Sequence, residues 1–168
     1  MRCSTEIWNA TLSTSNVHMI TTSIIPFVDT LHRSKVISLW KTVFGYEAAH
    51  NDPSLVIDKK TDVNDGLFFV AIVAEDIVGT IMAGYDGHRG WIYSLAVSPS
   101  HRRQRIGSRL VATIEQALTA RGCMKVNLQI MEGNEGVASF YSSLGFSVEK
   151  RVSMGKKIPE NIPMNDRD

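Results

Sequence analysis

The segment Arg102-Arg103-Gln104-Arg105-Ile106-Gly107-Ser108 is the part of this chain best equipped for chemistry. It sets three arginines immediately before an apolar helical pattern: Ile106, Leu110, Val111, Ile114 and Leu118 share one face. A helix N-terminus leaves backbone N–H groups unpaired and carries a positive partial charge, so it receives a phosphate or pyrophosphate. Arginines beside it add charge-assisted hydrogen bonds, and a glycine such as Gly107 lets the anion approach the backbone. Read alone, the segment fits a solvated basic turn ahead of an ordinary helix equally well, because short anion-loop patterns recur by chance.

Other chemistries find less support. Only Cys3 and Cys123 are present, so no disulfide framework or multi-cysteine metal site is implied. Cys123 follows Gly122 at a helix stop, and nothing marks it as a nucleophile. Asp86 and His88 share one loop, and two such groups are too few for a metal site. The run His101–Arg105 has no interleaved aromatics, and the chain carries a formal net charge of +1, which speaks against a nucleic-acid binder. No apolar run approaches the ~20 residues that cross a bilayer, and the first residues lack a signal-peptide core. A cytoplasmic protein without a membrane partner is therefore expected.

The elements that must position the arginine segment are legible in outline. With 168 residues, 43% of them hydrophobic and 21% charged, the chain suits one globular domain. Residues 1–18 read as a poorly ordered polar extension, and 159–168 as a polar tail. A first strand is expected from Met19 through Ile25. A helix capped by Asp29 or Thr30 carries Val36, Leu39, Trp40 and Val43 and stops at Gly45. Asn51-Asp52-Pro53 opens a second helix to about Val63. Leu67–Val73 and Ile77–Ala83 form a hairpin around Glu75-Asp76, and Trp91–Val97 is a further strand ending at Ser98-Pro99. After the helix from Ile106, Lys125–Met131 is a strand. Val137, Phe140, Tyr141 and Leu144 then mark a short helix stopped by Gly145. One or two closing strands are expected over 146–158. The fold class is mixed α/β (α+β) in a single domain, 19–158.

In that context the arginine segment resembles the coenzyme A-binding motif of the GNAT acetyltransferase superfamily, Gln/Arg-x-x-Gly-x-Gly/Ala. Arg102 matches the first residue and Gly107 the last, while Arg105 stands where the motif has its first glycine. The preceding Leu95-Ala96-Val97-Ser98-Pro99 resembles the family's fourth strand and its exit. Asn134 with Phe140-Tyr141-Ser142-Ser143-Leu144-Gly145-Phe146 resembles its second signature. The likeness covers 19–158. Within the superfamily, the stretches Tyr85–Gly90 and Val152–Lys157 are most similar to the small bacterial YpeA-type members.

The resemblance implies a mostly antiparallel central sheet flanked by helices, with the fourth and fifth strands splayed apart. It implies acetyl-CoA as cosubstrate, no metal, and transfer of the acetyl group to a primary amine by direct attack in a ternary complex. Coenzyme contacts would come from Leu95, Ala96 and Val97, from Arg102, Arg103, Gln104, Arg105, Ile106, Gly107 and Ser108, and from Asn134 and Tyr141. Asn134 suits a helix cap as well. Tyr141 stands where the family has its proton donor to the departing thiolate, although its spacing also fits a core face. Glu132 is the candidate base for the incoming amine, with Asp86 and His88 as alternatives. The acceptor is an amine-bearing small molecule, peptide or protein, and monomer and homodimer are both compatible with the chain. A silent acyl-CoA sensor on the same fold is the competing reading, supported by Arg105.

Overall fold

A computed structural model of the chain describes residues 21–45 and 52–158. The extension expected over 1–18, the strand residues Met19 and Ile20, Asn51 and the tail over 159–168 lie outside the described residues. The chain divides into two compact units, one ending at Gln129 and the other starting at Ile130.

The first unit runs β1 (Thr22–Pro26), α1 (Asp29–Phe44), α2 (Pro53–Val63), β2 (Phe68–Val73), β3 (Asp76–Tyr85), β4 (Arg89–Val97), α3 (Ile106–Thr119) and β5 (Lys125–Leu128). Its sheet keeps the chain order β1-β2-β3-β4-β5. The first three pairings are antiparallel, and β5 joins β4 in parallel. This is the mixed, mostly antiparallel sheet with helices that the resemblance implies.

Alternation along the strands assigns the two faces. Gly90 faces α3 so closely that a Cβ there would lie 2.6 Å from Leu118 Cδ1. Leu110, Val111, Ile114 and Leu118 of α3 are fully buried, as a helix with one apolar stripe requires. On the opposite face Val36, Leu39 and Trp40 of α1 and Ile57 of α2 form a core with Phe68, Val70, Met82 and Ala96. Asp52 caps α2, its carboxylate accepting from the N–H groups of Ser54 and Leu55 at 2.9 and 3.0 Å, with Pro53 in the first turn. Gly45 closes α1 in the left-handed region at φ 57°.

Several expectations are corrected. Neither Asp29 nor Thr30 caps α1; the cap position is Val28, and its N–H donates 2.9 Å to Nδ1 of His32 one turn further on. Asp29 instead takes a two-pronged hydrogen bond from Arg33. β4 begins two residues early, at Arg89, and β5 stops at Leu128 rather than Met131.

The second unit holds α4 (Glu135–Ser142). The Asn134 carboxamide oxygen accepts from the Val137 N–H at 3.3 Å, so Asn134 caps this helix. The far end closes where Phe146 N–H reaches back to Tyr141 O at 3.1 Å around Gly145 at φ 90°. The closing strands expected over 146–158 are absent: among the described residues that stretch joins no ladder. Val148, Val152, Met154 and Ile158 are 81–92% exposed. Alternating apolar side chains left in water supply no burial to fix a register, and strand propensity alone does not do so.

Candidate active site

β4 is built irregularly where the chemistry is expected. Thr80 pairs with Ala96 and Met82 with Tyr93, so β4 holds one residue more than β3 across that interval. The extra residue makes a bulge at Ser94, whose backbone is left-handed at φ 52°. A buried relay holds the bulge. The Trp40 indole N–H donates to the Thr80 hydroxyl at 2.7 Å, and that hydroxyl donates to Ser94 O at 3.1 Å. Trp40 and Thr80 are both 0% exposed.

The ladder with β5 ends just before the bulge, at the pair Ile92 and Leu128. Among the described residues, the side of β4 facing away from β3 has no ladder partner from Tyr93 to Val97. Leu95, Ala96 and Val97 lie on this open edge, which is the splay the resemblance implies. A parallel strand that leaves its neighbour exposes backbone N–H groups to a ligand in extended conformation.

The chain then turns into α3 through an irregular loop. Ser98 N–H is tied to Val78 O at 2.8 Å, and Pro99–His101 form a single 3-10 turn. Arg103 and Arg105 are left-handed, at φ 64° and 59°. The last internal bond of the loop is Arg102 N–H to Pro99 O, and the first into the helix is Arg109 N–H to Arg105 O. Among the described residues, the intervening N–H groups of Arg103, Gln104, Arg105, Ile106, Gly107 and Ser108 meet no acceptor. Alternation of left- and right-handed residues curls such N–H groups into a concave nest for an anion, here at the positive end of α3. Arg102, Arg103, Gln104 and Arg105 are exposed around it. Arg102 Nε touches Val97 O at 3.3 Å, which links the nest to the open edge of β4.

The left-handed backbone explains why glycine suits the position of Arg105 in the motif. An arginine there bears strain, and its side chain, exposed and unbonded among the described residues, carries its charge outward. The chemistry of the nest fits a pyrophosphate diester: two singly charged phosphoryl groups rich in acceptors meet six donors and, among the described residues 98–109, no carboxylate.

The remaining candidates divide between the units. Asp86 closes the turn between β3 and β4. Its carboxylate accepts from the N–H of Arg89 at 2.5 Å and of His88 at 2.8 Å, and these bonds hold its carboxyl below the usual carboxylate range. It is thereby a turn-former and a weakened base. His88 is exposed at the turn tip. In the second unit Glu132 is exposed in the turn closed by Asn134 N–H to Met131 O. Tyr141 is 6% exposed, with its ring edge-on to Phe140 and Phe146 at 5.1 and 5.3 Å. Burial pushes its phenol up to about 12, so it stays protonated across the neutral range.

The profile of the Acetyltransferase (GNAT) family matches residues 34–146. The chain belongs to the GNAT acetyltransferase family. It is 40% identical over 128 residues to an acetyltransferase of Sodalis glossinidius, covering 76% of this chain and 89% of that one. It is 38% identical over 126 residues to an acetyltransferase of Pectobacterium atrosepticum, covering 75% and 89%. The fold is shared with Ard1 from Thermoplasma volcanium, at TM-score 0.68 and 22% identity over 76% of this chain and 84% of that one. It is shared equally with AAC(6')-Iy, solved with a bisubstrate analogue of CoA and acetylneamine, at TM-score 0.66 and 19% identity over 83% and 99%. Among the described residues of this GNAT chain, no helix is long and apolar enough to cross a membrane.

Sequence reasoning missed the Trp40–Thr80–Ser94 relay. One signal was available: a lone serine inside the apolar run Trp91–Val97 marks a place where the strand leaves its ladder.

Proposed function

We propose that this protein transfers an acetyl group from acetyl-CoA to a primary amine. The observation that carries the reading is the run of six open N–H groups at the start of α3, continuous with the unpaired edge of β4. Arg102 to Ser108 would take the pyrophosphate, and Leu95, Ala96 and Val97 the pantetheine amides. One N–H of that edge would meet the thioester carbonyl oxygen. A preorganised donor of this kind contributes about 3–4 kcal/mol as the oxyanion develops.

The amine nitrogen then attacks the acetyl carbon, the C–N bond forms, and the C–S bond breaks. Tyr141 supplies a proton to the departing thiolate, supported by its place in the second signature and by the phenol's ability to donate a proton. The proton lost by the amine passes to Glu132, directly or through water. Asn134 acts through the cap it puts on the helix carrying Tyr141. The two relatives' names, both acetyltransferase, support the reaction class. The acetylneamine analogue bound by AAC(6')-Iy makes an amine a reasonable first acceptor to try.

The test is thiol release from acetyl-CoA with a panel of amines and peptides. Wild-type protein should release CoA with at least one acceptor. Tyr141→Phe should lower kcat by about 100-fold, the usual worth of a positioned acid, and leave the Kd for acetyl-CoA unchanged. Coenzyme binding without thiol release on any acceptor would replace the enzyme with a sensor. Unchanged turnover in Tyr141→Phe would remove that residue from the mechanism.

A further inference from the structure

The buried hydroxyl of Thr80 does more than close the core. An indole N–H can only donate, so in the 2.7 Å contact with Trp40 the hydroxyl is the acceptor. Its single proton is left for Ser94 O, 3.1 Å away. The direction of the relay is thereby fixed, from α1 through β3 to the main chain of β4. Trp40 and Thr80 are sealed from water, so breaking either bond leaves a buried polar atom unpaired.

What the relay holds is a peptide plane. Ser94 C=O and Leu95 N–H belong to one trans peptide, whose two ends point in opposite directions. Drawing the oxygen toward Thr80 therefore sends the Leu95 N–H away from that hydroxyl. The ladder has the same sense. Ser98 N–H bonds Val78 O, so two residues back the main chain of Ala96 faces its partner Thr80, and that of Leu95 faces the other side. That side is the edge β5 has already left, its last pair being Ile92 with Leu128. The arrangement puts Ser94 in the left-handed region at φ 52°. A serine keeps that conformation only where its surroundings enforce it, and such strain gathers at functional sites. Leu95 itself is half-buried, where a donor aimed at developing charge is worth more than in water.

We propose that Thr80 is a positioning residue for acetyl transfer: its hydroxyl, oriented by Trp40, aims the Leu95 N–H at the thioester carbonyl oxygen. The proposal rests on the acetyl-transfer reading above and assigns the donor left open there. As the amine forms its C–N bond to the acetyl carbon, the carbonyl electron pair moves onto that oxygen. It returns as the C–S bond breaks and the sulfur leaves as thiolate to be protonated. With its plane pinned beforehand, the Leu95 N–H needs no reorientation when the oxyanion develops.

Two ligands that differ only at the carbonyl test it: acetyl-CoA, and S-ethyl-CoA with a methylene in its place. Calorimetry without acceptor should give wild-type protein a preference for acetyl-CoA of about fivefold, the worth of one neutral hydrogen bond. In Thr80→Val the preference should vanish, and any general loss of coenzyme affinity cancels in the ratio. Thr80→Ser keeps the hydroxyl and gives up a buried methyl, so it should retain the preference although it too is destabilised. With an amine acceptor, kcat should fall about 10-fold to 100-fold in Thr80→Val, less than the loss from deleting an oxyanion donor outright. Thr80→Ser should recover most of that rate. A wild type without the preference, a preference that survives in Thr80→Val, or a Thr80→Ser that behaves like Thr80→Val overturns this proposal alone. Wild-type protein that binds neither ligand overturns the acetyl-transfer reading and this proposal with it.

Discussion

Replacing Thr80 with valine tests whether the bulge in β4 is held by the relay from Trp40. The hydroxyl is 0% exposed; it accepts from the Trp40 indole at 2.7 Å and donates to Ser94 O at 3.1 Å. Valine keeps the branched shape and removes both bonds. The indole N–H, itself in a fully buried residue, is left unpaired at about 1–3 kcal/mol, and the carbonyl loses about 1 kcal/mol more. The added methyl returns a little under 1 kcal/mol of apolar burial. The net loss is about 1–3 kcal/mol, which for a domain of this size lowers Tm by about 2–12 °C. Denaturant unfolding of Thr80→Val, Trp40→Phe and the double variant gives the coupling directly, expected at about 1 kcal/mol or more. Acetyl-CoA affinity should fall in parallel, because Leu95 to Val97 lose the kink that turns them away from β5. A loss of stability below 1 kcal/mol, or two effects that simply add, would refute the relay.

Two further perturbations probe the ends of α3 and α1. Arg105→Gly removes left-handed strain of about 1–2 kcal/mol and restores about 0.5–1 kcal/mol of chain freedom to the unfolded state. A thermal melt should therefore show a small net gain in stability. Titration calorimetry should show acetyl-CoA bound about twofold to fivefold more weakly, the worth of one exposed ionic contact; equal affinity would mean that Arg105 takes no part in binding. His32 accepts the Val28 N–H only as a neutral ring, and burial first, then the charge of Lys35, lower its pKa from 6.5. The unfolded chain thus binds a proton that the folded one refuses. The contribution of the cap is full above pH 6.5 and is lost as pH falls through the lower folded value. Unfolding curves of wild type and His32→Gln should converge between pH 7 and pH 5, and a constant gap would exclude this titration as the cause.

What the sequence determined by itself was whatever depends on neighbours along the chain. The apolar stripe of α3, the Asp52-Pro53 start of α2, the Gly45 and Gly145 stops and the hairpin around Glu75-Asp76 follow from helical or strand periods and from local capping, and each stands where it was expected. The place of the turn into α3 was also legible, since a helix N-terminus is a local property. Its form was not: left-handed backbone at Arg103 and Arg105 has no signature when the residues are arginines rather than glycines. Tertiary structure alone decided the rest. The cap of α1 went to His32 because the chain entering from β1 leaves Val28 N–H beside that ring. The stretch 146–158 has the composition of strands and joins no ladder, because pairing needs a partner edge that a period cannot supply. The bulge at Ser94 is held by Trp40 and Thr80, 54 and 14 residues away in the chain, and Tyr93 is braced by Lys60 and Gly84 from two other elements. Hydrogen bonds and ring contacts between remote residues leave no mark in local periodicity, so only the packed sheet brings these contacts into view.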